Sequence, residues 1–240
     1  MIILVTGGAS GLGEAITRTI ARDVNCTVYF TYNRSEENAR MIESDCTNAF
    51  SIKCDFKNEN DLEHLVNRIH DLKLDVLINN AYTGEAIKTY FHKIPQQDFL
   101  SDFSNNIIPT IFITQAAINS FRKRKFGKII TVLTSFLINT PPLGSAIYVA
   151  NKAYLEQLTK VWATENIKYN ITSNAISPAF MLTNFTSDTD ERVIEQMLND
   201  HPLKKLLTPL EVAESIAFLT HSTQQINGIN IILNSGTNIE

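Results

Sequence analysis

Tyr148 and Lys152 stand four residues apart in a segment of helical character, a spacing that stacks both side chains on one face. A nearby ammonium favours the tyrosinate, so a phenol with an ordinary pKa of about 10 can exchange its proton nearer neutrality. Such a phenol acts as a general acid toward a carbonyl oxygen or a general base toward an alcohol. Ser135, at the end of an apolar run shortly before, adds a hydroxyl able to hydrogen-bond the same oxygen.

A second chemical feature lies near the start of the chain. Four of the nine glycines fall within Thr6-Gly7-Gly8-Ala9-Ser10-Gly11-Leu12-Gly13, directly after the apolar run Ile2 to Val5. Glycine lets the backbone turn tightly and approach a pyrophosphate, and a helix starting there points its unpaired amides at the anion. The pattern predicts a dinucleotide site. About 20 residues further on, an acidic side chain would hold the ribose hydroxyls of such a ligand. The chain instead reads Phe30-Thr31-Tyr32-Asn33-Arg34-Ser35. No carboxylate is present to repel a 2′-phosphate, whereas Arg34 can pair with one and Ser35 can hydrogen-bond it. NADPH is therefore expected, with NADH as the alternative.

These groups need a scaffold. Short apolar runs recur at Ile2 to Val5, Thr27 to Thr31, Phe50 to Lys53, Val76 to Ile78, Lys128 to Leu133, Ile171 to Ile176 and Ile229 to Leu233. Between them, Gly13 to Asp23, Glu59 to Asp71 and Val149 to Asn166 carry apolar residues at helical spacing and are long enough to cross over a sheet. This alternation predicts an α/β protein, a doubly wound parallel sheet of about seven strands with helices on both faces. With 240 residues and no linker or repeat, residues 1–240 read as one domain. The irregular stretch from Thr183 to Lys205, with a helical patch near Glu191 to Leu198, is expected to form a mobile lid.

Composition narrows the partners. Twenty-one basic against twenty-five acidic residues give a net charge of -4, which offers no field for nucleic acid or an anionic membrane. No apolar run approaches a bilayer-spanning length, and no secretion signal is visible, so a cytoplasmic protein is expected. Cys26, Cys46 and Cys54 lack metal-type spacing and read as free thiols, His64 and His70 read as exposed, and no metal is expected.

The motifs, taken in order, make the chain resemble the short-chain dehydrogenase/reductase family over essentially its whole length, most closely the 3-oxoacyl-acyl carrier protein reductases. The cofactor turn matches Thr6 to Gly13, the adenine-side Asp matches Asp55 in Cys54-Asp55-Phe56, and the Asn-Asn-Ala element matches Asn79-Asn80-Ala81. The catalytic Asn matches Asn106, Ser135 precedes Tyr148 by thirteen residues, and Tyr148-Val149-Ala150-Asn151-Lys152 matches Tyr-x-x-x-Lys. Asn174 and Pro178 through Thr183 resemble the segment that holds the nicotinamide. The resemblance implies a Rossmann-type fold in which Thr6, Gly7, Ser10, Gly11, Leu12, Gly13, Asn33, Arg34, Ser35, Asp55, Phe56, Asn80, Ala81, Tyr148, Lys152, Pro178 and Thr183 contact the cofactor. Tyr148 would exchange the proton with substrate oxygen, Ser135 would hydrogen-bond that oxygen, and Lys152 would lower the Tyr148 pKa and hold the nicotinamide ribose. Asn106 would position a water that relays protons to Lys152.

Three positions depart from the family. Tyr82 stands where glycine usually follows Asn-Asn-Ala, Ala179 replaces the glycine of Pro-Gly, and Ser235-Gly236 replaces a late Gly-Gly. A positive φ at position 82 or 179 would cost about 1 to 2 kcal/mol for a non-glycine residue. The expected activity is reduction of a carbonyl, such as a 3-oxoacyl thioester that is free or bound to a carrier protein. The alternatives are a dehydrogenase of a sugar, polyol or other secondary alcohol, and a non-catalytic nucleotide sensor or scaffold. Phe136, Leu137, Ile138 and Leu143 supply an apolar pocket wall. A homo-oligomer, tetramer or dimer, is expected through the helices carrying Asn106 and Tyr148, whose apolar residues Ile107, Ile108, Ile111, Phe112, Leu155, Leu158 and Trp162 can serve two faces.

Overall fold

The computed structural model describes residues 1–84, 88–138, 140–187 and 189–237. Asn139 in the expected pocket wall and Asp188 in the expected lid lie outside the described residues. Seven strands form one parallel sheet: β1 (Ile2–Val5), β2 (Thr27–Tyr32), β3 (Ala49–Lys53), β4 (Val76–Asn79), β5 (Gly127–Val132), β6 (Ile171–Pro178) and β7 (Asn230–Leu233). Their order is β3-β2-β1-β4-β5-β6-β7. After β3 the chain crosses back to lay β4 beside β1, and the helices that follow β3, β4 and β5 cover the face opposite the helix that follows β1, with the last helix returning to that first side. The crevice at the carboxyl ends of β1 and β4 is the usual ligand position in such a sheet.

Alternation along β1 divides the core. Ile3 and Val5 join Ile16, Ile20, Phe30, Val212 and Ile216 on one face, under α1 (Gly11–Ala21) and α7 (Pro209–His221). Leu4 points the other way, into Leu65, Leu77, Ile113, Phe121, Ile129 and Trp162, under α3 (Glu59–Leu72), α4 (Gln96–Arg124) and α5 (Ala146–Asn166). Burial on both faces explains why the central strands read as unbroken apolar runs.

Local signals set several helix ends. The Asn58 side chain accepts hydrogen bonds from the Asn60 and Asp61 amides at the start of α3, and Lys73 and Lys125 close α3 and α4 in left-handed conformation. Thr208 and Glu211 form a reciprocal cap on α7, with Pro209 at its first position. Within α4, Pro109 has no amide hydrogen for the Asn105 carbonyl one turn earlier. The sequence pattern did not mark α2 (Glu36–Asp45), a mostly polar helix that buries only Ala39 and Ile42. The helical patch in the expected lid is α6 (Glu191–Asp200), which buries no residue at all.

Cys26, Cys46 and Cys54 are free thiols, and His64 and His70 are exposed. Among the described residues one cluster, Asp23, Cys26 and His221, brings potential metal ligands within 4.8 Å. Its carboxylate is already engaged, accepting from Asn25 N and Nδ2 at 3.0 Å and from Cys26 Sγ at 3.5 Å.

Candidate active site

The glycine turn joins β1 to α1 at the crevice between β1 and β4. Gly7 and Gly11 adopt φ of +65° and +53°, in the region that favours glycine. Gly13 is required for another reason, since a Cβ there would lie 1.9 Å from the Gly7 carbonyl oxygen. Thr6 Oγ1 donates to the Ile78 carbonyl at 3.3 Å and accepts from the amides of Asn80 and Ala81 at 2.9 and 3.0 Å. Asn80 Nδ2 returns bonds to the Thr6 and Gly7 carbonyls at 3.0 and 3.2 Å. The side chains of Thr6 and Asn80 therefore lace β1 to β4 and hold the turn. Ser10 caps α1 with an exposed side chain that makes no capping bond, leaving its hydroxyl beside the helix amides. Leu12 packs inward against the core. Thr183 closes over the turn, its Cβ 3.5 Å from where a Cβ on Gly11 would stand.

Beyond β2, Asn33, Arg34 and Ser35 lead into α2. Arg34 is exposed and makes no ion pair among the described residues, and the Ser35 hydroxyl makes no capping bond, so both groups can meet a phosphate. The Asp55 carboxylate accepts from the Lys57 amide at 3.0 Å, while the Asp55 amide donates to Asp61 at 2.9 Å. Phe56 is buried in the core, so any ligand contact there falls to its backbone. Sequence reading missed Thr31, whose Oγ1 accepts from the Gly7 amide at 2.8 Å, and Asn38, which donates to the Ala9 carbonyl.

The catalytic candidates gather at the carboxyl end of β5. Lys152 is 5% exposed, and its Nζ donates to the Val132 carbonyl at 2.7 Å. Burial pulls its pKa down to about 8. Ser135 is buried on a short 3-10 turn, Ser135–Leu137, packed against α5, and its hydroxyl makes no hydrogen bond among the described residues. Tyr148 departs from expectation. Burial pushes its pKa up to about 12, and the neighbouring Thr134 side chain opposes this only partly. The Lys152 ammonium lies 5.8 Å from the ring centre and is not among the groups that move this pKa. Asn106 is buried on α4. Its Oδ1 accepts from the Thr83 amide at 2.5 Å, and its Nδ2 donates to the Thr83 and Asp102 carbonyls at 3.4 and 3.2 Å. The side chain braces the loop after β4.

Tyr82 and Ala179 do not take positive φ, so neither carries the strain considered for them; Ser235, at φ +55°, does. Tyr82 fills the site instead. Its ring meets Tyr148 edge-on at 5.2 Å, and both rings pack on Phe185, at 5.5 and 5.9 Å. Phe185 comes from the expected lid, just beyond Thr183. Pro178 is buried at the end of β6, where it pairs with Leu233 of β7.

A family model of short-chain dehydrogenase/reductase type, described as enoyl-(acyl carrier protein) reductase, matches residues 7–238. The chain belongs to the short-chain dehydrogenase/reductase family. Among curated members of this oxidoreductase family, it is 28% identical to the 3-oxoacyl-[acyl-carrier-protein] reductase of Rickettsia prowazekii, over 97% of this chain and 95% of that one. It is also 28% identical to carbonyl reductase family member 4 of Xenopus laevis, over 98% and 97%. Among solved structures, a short-chain dehydrogenase from Burkholderia cenocepacia, crystallised with NADP, shares the fold with a TM-score of 0.85. That pair is 24% identical, over 99% of this chain and 97% of the other.

Proposed function

We propose that the protein is an NADPH-dependent carbonyl reductase acting on a 3-oxoacyl thioester or a related ketone. The observation that carries this reading is the half-buried Tyr148 phenol on the helix face of Lys152, its ring centre 5.8 Å from the ammonium, beside the turn that bears Ser135. A phenol in that place can donate the proton that reduction of a carbonyl requires. The cofactor fits the residues present. A side chain at Gly13 would close the turn, and Asn33-Arg34-Ser35 offers a cation and a hydroxyl with no carboxylate where a 2′-phosphate would sit.

Thr6 to Gly13 and Thr183 would hold the pyrophosphate, Arg34 and Ser35 the 2′-phosphate, Asp55 the adenine side, and Lys152 the nicotinamide ribose. When bound, NADPH supplies the hydride to the carbonyl carbon. Ser135 donates a hydrogen bond to the substrate oxygen and orients it. Tyr148 transfers its proton to that oxygen, and the Lys152 ammonium favours the phenolate left behind until it is reprotonated.

The aromatic wall of Tyr82 and Phe185 and the apolar Leu137 favour a ketone with an acyl chain over a polyol. The acyl-carrier-protein reductases among the relatives support a thioester, delivered free or on a carrier. Thr183 to Lys205 serves as the lid, and its amide hydrogen exchange should slow when cofactor and substrate are bound. Oxidation of NADPH against a panel of 3-oxoacyl thioesters, simple ketones and sugar-derived ketones tests the function. Turnover of a thioester or ketone that is lost in Tyr148→Phe is expected. No turnover of any carbonyl, with NADPH still bound, would instead support the nucleotide-sensor alternative.

A further inference from the structure

Tyr82 is tied down at its hydroxyl. The phenol donates to both oxygens of Asp102, at 2.9 and 3.0 Å, and the same carboxylate accepts from Asn151 Nδ2 at 2.7 Å. Asp102 lies on α4, is buried, and passes its main-chain carbonyl to Asn106. Asn151 immediately precedes Lys152 on α5. One buried carboxylate thus joins the loop after β4, helix α4 and the helix that carries both Tyr148 and Lys152.

The Tyr82 ring lies 5.6 Å from Lys152 Nζ and the Tyr148 ring 5.8 Å from it, the two rings 5.2 Å apart. Lys152 is otherwise poorly supplied. From β5 it is offered the neutral Val132 carbonyl, and among the described residues the titratable groups facing it are Tyr148 on its own helix and Tyr82 on the loop, with Asp102 of α4 behind Tyr82. An ammonium is attracted to the electron-rich face of an aromatic ring, more strongly when water is excluded. A phenol hydrogen-bonded to a carboxylate holds more negative charge in its ring than a free one, since the two groups polarise one another.

We infer that Tyr82, held by Asp102, is a positioning residue that keeps Lys152 charged in a dry site and fixes the Tyr148 ring against it. The inference rests on the reading of Tyr148 and Lys152 as the proton-handling pair. Its consequence is a pH effect, because reduction needs the ammonium and should fail as Lys152 loses its proton. The test is the pH dependence of kcat, at saturating NADPH and the ketone substrate found in the panel, for wild type, Tyr82→Leu, Tyr82→Phe and Asp102→Asn. Melting curves report folding, and Tyr148→Phe serves as control. Competitive acetylation of Lys152 in the free protein, followed by mass spectrometry, titrates the same amine without cofactor. Tyr82→Leu should move the alkaline limb of kcat and the acetylation midpoint down by about 0.5 to 1 pH unit. Tyr82→Phe and Asp102→Asn should move both in the same direction by less.

If folded variants lose activity equally at every pH, with both midpoints unmoved, Tyr82 and Asp102 only pack the site and the inference is wrong. Should Tyr82→Leu fail to fold, unmoved midpoints in Tyr82→Phe and Asp102→Asn overturn it equally. An active Tyr148→Phe would instead overturn the underlying assignment of the proton donor, an outcome distinct from an inactive Tyr148→Phe with unmoved limbs in the Tyr82 series.

Discussion

The hydrogen bond from Lys152 Nζ to the Val132 carbonyl anchors the ammonium at the end of β5, 5.8 Å from the centre of the Tyr148 ring. Deleting the phenol oxygen leaves this anchor and the glycine turn intact. Tyr148→Phe should therefore lower kcat by about 10² to 10⁴ while NADPH affinity, measured by fluorescence titration, changes little. Lys152→Ala should reduce both, since one side chain serves phenol and ribose. Ser135→Ala should retain more activity than Tyr148→Phe, having lost a hydrogen bond but not the proton source.

Burial of Lys152 should also be visible in stability. Its folded pKa of about 8 lies below the ordinary 10.5, so between these values the unfolded chain binds more protons and stability rises with pH. Tyr148, raised from 10 to about 12, acts in the opposite sense, its contribution to stability falling as pH rises above 10. Denaturant unfolding from pH 8 to 10 should show a rise for wild type that is smaller in Lys152→Met, by on the order of 2 kcal/mol. Equal pH slopes for the two proteins would contradict the burial of an ionisable amine here.

Gly13→Ala places a methyl group 1.9 Å from the Gly7 oxygen, against backbone that Asn80 also holds. The turn must open to accept it. Loss of NADPH binding by at least tenfold is expected in isothermal titration, together with a lower melting temperature.

Arg34→Ala should separate the two nicotinamide cofactors. Removing a charge-assisted bond to the 2′-phosphate is expected to weaken NADPH by about 1.5 to 3 kcal/mol and leave NADH nearly unchanged. Equal losses for both would assign the phosphate to another group.

Helices α4 and α5 turn Ile107, Leu155 and Trp162 into the core yet leave Phe112, Tyr154 and Val161 exposed. We propose that these faces pair between copies, giving a tetramer or dimer. Light scattering should report that assembly for wild type and a smaller species for Phe112→Glu. A wild-type monomer at micromolar concentration would refute the pairing.

Much of this protein is written in local pattern. The runs at Ile2 to Val5 and Val76 to Ile78 read as strands because central parallel strands are apolar on both faces, so burial leaves its mark on consecutive residues. Gly7, Gly11 and Gly13 signal the turn through backbone demands that no other residue meets as well, and the spacing of Tyr148 and Lys152 puts both on one helix face. What escaped is non-local or carried by polar residues. Helix α2 has too few buried positions to stand out. The bond between Tyr82 and Asp102, 20 residues apart, exists only because the loop after β4 folds onto α4. Phe185 meets Tyr148 only when the chain beyond β6 returns over the site. The surroundings of Tyr148 were also decided by tertiary structure: sequence places a lysine four residues on, but the rings of Tyr82 and Phe185 come from distant segments, and burial raises the phenol's pKa.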